Sequence, residues 1–142
     1  IKETDIVSIH YESSFQVQRV LDWLAPFGCK RFLAINPATP VNVLEEVLDY
    51  IDGINLLMVN PGFAGQKIVP STLKKATKVA ELLNREKRED ITIEVDGNIT
   101  LENAKILRNI GANIFVAGTS CLFKGGVNSY TENIRQLRNI IS

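Results

Sequence analysis

Five times along its 142 residues this chain passes from a short apolar run with strand-type alternation into a longer stretch whose apolar residues fall three and four apart. Ile6 to Tyr11 alternates around Val7 and Ile9, and Phe15 to Phe27 follows with Val17, Val20, Leu21 and Leu24 at helical spacing. Gly28 stops that helix. Arg31 to Asn36 predicts a second strand and Pro37-Ala38-Thr39-Pro40 a turn, after which Val43, Leu44, Val47, Leu48 and Ile51 mark one face of a helix. Ile54 to Val59 is the third strand. Ser71 to Glu89 is the longest helix, with Leu73, Ala76, Ala80 and Leu83 on one side and solvated Lys and Glu on the other. Ile91 to Val95, a helix over Leu101 to Ile110 ended by Gly111, Ile114 to Ala117, and a helix from Ser129 to Ile141 complete the series.

Strands that alternate with helices imply a parallel sheet built by right-handed crossovers, so the class is α/β, and residues 1–142 suit a single domain. An open doubly wound sheet and part of a (β/α)8 (TIM) barrel compete. An open nucleotide-binding sheet usually places its Gly-rich turn after the first strand, where this chain has Glu12-Ser13-Ser14. A barrel keeps its chemistry at the C-terminal strand ends, often with a phosphate site after the last two strands, and here Asp96-Gly97 and Gly118-Thr119 stand at those places. Barrels average about 250 residues, roughly 30 per unit, so five units are expected to be the C-terminal five of eight. Ile1, which is not a Met and leads almost directly into a strand, fits a piece of something longer.

Two loops carry the chemistry. Val59-Asn60-Pro61-Gly62-Phe63-Ala64-Gly65-Gln66 is a small, Gly-rich segment whose backbone amides can approach an anion closely, and Ile93-Glu94-Val95-Asp96-Gly97-Asn98 delivers a carboxylate to a strand end. Together they suggest a phosphorylated substrate beside an acid/base group. Sixteen Lys plus Arg balance sixteen Asp plus Glu, so no nucleic-acid or membrane surface is expected, and anion recognition has to be local. No run reaches transmembrane length. Cys29 and Cys121 lack metal-ligand spacing; with no apolar signal segment, they read as two reduced thiols in a cytoplasmic protein.

Ser8-Ile9-His10-Tyr11-Glu12, Ala34-Ile35-Asn36-Pro37-Ala38-Thr39-Pro40, the Asn60 to Gln66 loop, Glu94-Val95-Asp96-Gly97 and Val116-Ala117-Gly118-Thr119 occur in an order and at intervals that resemble the ribulose-phosphate 3-epimerase family. The resemblance covers essentially the whole chain, as the family's fourth to eighth strand-helix units, and implies a barrel of the ribulose-phosphate-binding type. Phe63-Ala64-Gly65-Gln66 and Gly118 to Phe123 look closer to its allulose-6-phosphate 3-epimerase branch.

The resemblance implies a 3-epimerase acting on D-ribulose 5-phosphate or D-allulose 6-phosphate, inverting C3 by proton removal on one face and return on the other. It implies one divalent metal ion (Zn, Fe, Mn or Co) that polarises the ketone and holds the enediolate. Asp96 matches the carboxylate that is both acid/base and metal ligand; taken alone, without the other motifs, it reads first as a turn-forming Asp before Gly. Gly62, Phe63, Ala64 and Gly65 would close over the substrate. Gly97, Asn98, Gly118 and Thr119 would meet the phosphate, mostly through backbone amides, with Thr119 adding a hydroxyl. Asn98 stands where the family usually has a second Gly. The other catalytic Asp, the remaining metal ligands and a substrate-contacting Ser are assigned to strands with no counterpart here, so the 142-residue chain alone is expected to have little or no activity. A homo-oligomer is also implied.

His10, the lone histidine, matches a position that is not a metal ligand and is a candidate pocket residue. Glu94 shares a strand face with Asp96 and can tune its proton affinity. Asn36 and Asn60 are candidate pocket residues; Leu57 takes the inward position where the family tends to place Met, turning Met58 toward the helices. Trp23 reads as core, and Gly125-Gly126 as ordinary stops. One alternative is a non-catalytic barrel fragment keeping a phosphate-binding half-site. Another, a decarboxylase or indole-pathway lyase, needs a strand-end Lys that the sequence lacks, since Lys67 and Lys124 lie in loops.

Overall fold

The computed structural model describes residues 1–142. Five strands, β1 (Ile6–His10), β2 (Lys30–Ile35), β3 (Gly53–Leu57), β4 (Thr92–Asp96) and β5 (Ile114–Val116), form one sheet in the order β1-β2-β3-β4-β5. Every neighbouring pair is parallel. Sequential order with parallel pairing means that each crossover returns over the same face, which is the winding of a barrel wall rather than of a sheet covered on both sides. The α/β class is as read from the sequence, and the wall is five consecutive units of a partial (β/α)8 barrel.

The helices are α1 (Val17–Leu24), α2 (Ser71–Arg85), α3 (Leu101–Ile110) and α4 (Tyr130–Ile141). Gly28 at φ 68° follows a short 3-10 turn that extends α1, and Gly111 at φ 121° ends α3 with its N–H donated to Leu107 and Arg108. Thr100 starts α3 by accepting the Asn103 N–H at 3.1 Å. The helix expected after β2 is instead a run of 3-10 turns over Val41–Tyr50. Three Val residues weaken α-helical preference there. At about 2 Å per residue the tighter helix also spans about 20 Å in ten residues, enough to return along a strand. Its apolar face is nevertheless the one anticipated: Leu44, Val47, Leu48 and Ile51 are buried.

Alternation sorts the strand side chains. Leu33, Ile35, Ile54, Leu56, Met58, Ile93 and Val95 pack under the helices in a single core with Val17, Leu21, Ala76, Val79, Leu82, Leu83, Ala104, Leu107 and Leu137. Ser8, His10, Ala34, Asn55, Leu57, Glu94 and Asp96 share the other face by register. Met58 is therefore a core residue, and Leu57 faces the barrel interior, as its register predicted. Trp23 is a correction: it is 67% exposed. Val17 and Leu21, four apart, carry the buried stripe of α1, and Trp23, two residues further, lies about 200° around the helix from Leu21. Cys29 and Cys121 are buried free thiols. No helix is long and apolar enough to cross a membrane.

Candidate active site

At the C-terminal ends of β1, β3, β4 and β5 a cleft of about 440 Å³ opens. His10, Leu57, Asp96 and Val116 come from the strands, and three loops close over them: residues 58–70 after β3, 97–100 after β4 and 117–129 after β5. The sheet delivers Asp96 here because it is the last residue of β4, paired with Leu57 and Val116 on either side. The interior alternation puts Glu94 one step deeper on the same face.

Burial pushes the Asp96 carboxyl above its usual range, offset in part by neighbouring His10. Burial also raises Glu94, and the charge of Asp96 adds to it. Two half-buried carboxyls stacked on one strand thus hold protons more tightly than free ones.

Gly97 is required by geometry. Its φ is 110°, and an added Cβ would lie 2.6 Å from Val59 Cγ2 and 3.1 Å from the Val59 nitrogen. Gly118 differs: its φ lies outside the left-handed region and nothing lies within 4 Å of an added Cβ, so no packing within the chain demands glycine there. What it leaves is space in the cleft.

Gly62, Phe63, Ala64, Gly65, Gly97, Asn98, Gly118 and Thr119 all line this cleft together with Asp96. None of their backbone N–H groups has a hydrogen-bond acceptor within the chain. A row of unpaired amides along one cleft is what an anion needs. The loop after β3 is braced from inside: Gln66 Nε2 donates to the carbonyls of Asn60 at 2.6 Å and Phe63 at 2.9 Å.

His10 and Asn60 line the cleft. Asn36 does not: its backbone N–H donates to Glu12 Oε1, and its loop is tied to α2. Lys67 and Lys124 are also absent from the lining, as are all other lysines. Sequence reasoning missed Ser120 and Phe123, which line the cleft from the loop after β5. Phe123 packs edge-on against Tyr130 with ring centroids 5.3 Å apart. Neither belongs to a periodic segment, so only their closeness to Gly118 marked them.

No three His, Cys, Asp or Glu side chains converge in a way that could hold a metal ion. Asp96 is a single candidate ligand, and the residues present do not by themselves fit a metal site.

The family model described as the ribulose-phosphate 3 epimerase family matches residues 2–123. The chain belongs to this family. It is 43% identical over 139 residues to a ribulose-phosphate 3-epimerase of Buchnera aphidicola subsp. Baizongia pistaciae (strain Bp), covering 98% of this chain and 59% of that protein. The enzyme of the same name from Bacillus subtilis (strain 168) is 39% identical over 116 residues, 82% of this chain and 54% of its own length. That of Escherichia coli (strain K12) is 42% identical over 115 residues, 81% and 51%. The chain thus spans a little over half the length of these curated relatives. Among solved structures, a mutant flavocytochrome b2 with pyruvate bound superposes with a TM-score of 0.65 at 13% identity, over 98% of this chain and 42% of that one. That likeness is one of fold.

Proposed function

We infer that this chain supplies the acid/base carboxylate and the phosphate-binding half of a sugar-phosphate 3-epimerase site. The observation that carries the reading is the placement of Asp96 in a cleft rimmed by loops with unpaired amides. A phosphate held by those amides would anchor a ketose at one end and leave its carbonyl end over the strand termini. Asp96, its proton affinity raised by burial, is suited to take or return the proton on the carbon beside the ketone, because a general acid/base works best with a pKa closer to the working pH. Inversion needs a second such group on the opposite face. The family resemblance assigns that group, and the remaining ligands of a divalent metal, to strands outside these residues.

D-ribulose 5-phosphate is the favoured substrate, since the named relatives are ribulose-phosphate 3-epimerases. D-allulose 6-phosphate is the alternative suggested by the loops after β3 and β5. Solvent-deuterium incorporation at C3 of each sugar phosphate, followed by NMR with the whole polypeptide that carries these residues, tests the reading. Asp96→Asn is expected to lower exchange by about 10²–10⁴-fold, the usual contribution of a positioned acid/base. Exchange that survives this substitution unchanged would remove Asp96 from the chemistry.

A second reading is a half-site that binds phosphate without turnover, resting on the unpaired amides of the cleft alone. The whole polypeptide separates the two: exchange at C3 supports the epimerase reading, and phosphate binding with no exchange at C3 supports the half-site.

A further inference from the structure

Asn98 is one of only two non-glycine residues with positive φ, at 51°. Asn accepts this left-handed conformation more easily than most side chains, yet glycine accepts it at lower cost. Both ends of the side-chain amide are engaged. Its Oδ1 accepts the Ile68 N–H at 3.1 Å from the loop after β3, and its Nδ2 donates to Ser120 Oγ at 3.1 Å in the loop after β5. Its own carbonyl is held in turn by Asn103 Nδ2 and by the Thr100 N–H, both at 2.9 Å, which tie it to the start of α3. One amide group therefore joins all three loops that rim the cleft. No other side chain bonds to both the loop after β3 and the loop after β5.

We propose that Asn98 is a positioning residue whose side-chain amide clamps the loops after β3 and β5 to the loop after β4, holding their unpaired amides at the spacing a single phosphate group requires. This deepens the phosphate-site reading above and rests on it. The clamp belongs to the left-handed backbone: φ of 51° turns the side chain so that acceptor and donor reach opposite loops at once. A glycine there would keep the backbone and its amide while losing both bridges. Phosphate binding would then have to order the loops as well as contact them, and affinity falls by the cost of that ordering.

The test uses the 142-residue chain with inorganic phosphate as the probe. Phosphate affinity is read from the NMR shifts of the Gly65, Gly118 and Thr119 amides, and the clamp from hydrogen exchange at the Ile68 amide. Asn98→Gly is expected to unfold at the same urea concentration as the parent chain, to lose Ile68 protection and to bind phosphate about tenfold more weakly. Ser120→Ala, which releases only the loop after β5, is expected to keep Ile68 protected and show a smaller loss. An Asn98→Gly chain that binds phosphate as tightly as the parent overturns the clamp. So does one that loses affinity while Ile68 stays protected, since Asn98 would then act by direct contact. Failure of the unsubstituted chain to bind phosphate overturns instead the phosphate-site reading beneath it.

Discussion

Asp96 and Glu94 set the pH behaviour of the inner face. Burial raises both, so the folded state holds their protons more tightly than the unfolded chain does. A raised folded value means stability that is fully present below the unfolded carboxylate range, about pH 4, and is lost as pH rises through the folded values. Replacing both with Gln and Asn should make the chain more stable than its parent at pH 7, with the gap closing as pH falls toward 4. Urea denaturation at the two pH values measures this; a gap that widens on acidification would contradict it. Gly97 gives a second prediction. A Cβ there meets Val59 at 2.6 Å on a backbone with φ 110°, so Gly97→Ala should cost about 3 kcal/mol of unfolding free energy, from overpacking and left-handed strain together. The need for glycine at 97 was legible as a strand-end Gly. The role of its neighbour was not, because a side chain that bridges two distant loops leaves no local signature.

At the scale of elements, the crossover between β2 and β3 is held from α2. Lys75 Nζ donates to the carbonyls of Asn36, Pro37 and Thr39 at 2.5–2.7 Å, and burial holds its ammonium below the usual lysine range. Glu12 fastens the same loop from β1's side, accepting the Asn36 N–H and the Thr39 hydroxyl. Burial alone would raise the Glu12 carboxyl, but these bonds more than reverse it, and it lies below the usual range. Lys75→Met removes the donor from three carbonyls at once and should destabilise by about 1–3 kcal/mol, read from the denaturation midpoint. A neutral result would mean that water replaces the ammonium without penalty. Helix and strand existence was readable from apolar spacing alone, and so was the buried face of Val41–Tyr50. That this segment winds as 3-10 turns was not, since spacings of three and four suit both helices.

The whole molecule is a barrel wall with two free borders. β1 and β5 each pair on one side only, and the apolar side chains of Ile6 and Val116 on them are exposed at 52% and 41%. Unpaired strand edges recruit other edges. The 142-residue chain on its own is therefore expected to self-associate, seen as a sedimentation coefficient that rises with concentration, and Ile6→Lys should weaken that association by blunting the β1 border. A monomer at every concentration would show that the borders are inert.

Apolar periodicity by itself determined the order of strands and helices, the parallel sheet and the face each element buries, because burial acts residue by residue along a regular backbone. Family resemblance and the Gly-rich turns marked Asp96 and the residues that line the cleft. The packing of the folded chain leaves Asn36 outside the cleft and Trp23 outside the core, brings Ser120 and Phe123 into the cleft, and lets Asn98 join its loops. Those outcomes depend on how separate segments meet in space, where one backbone angle or the turn of a helix moves a side chain from one neighbour to another.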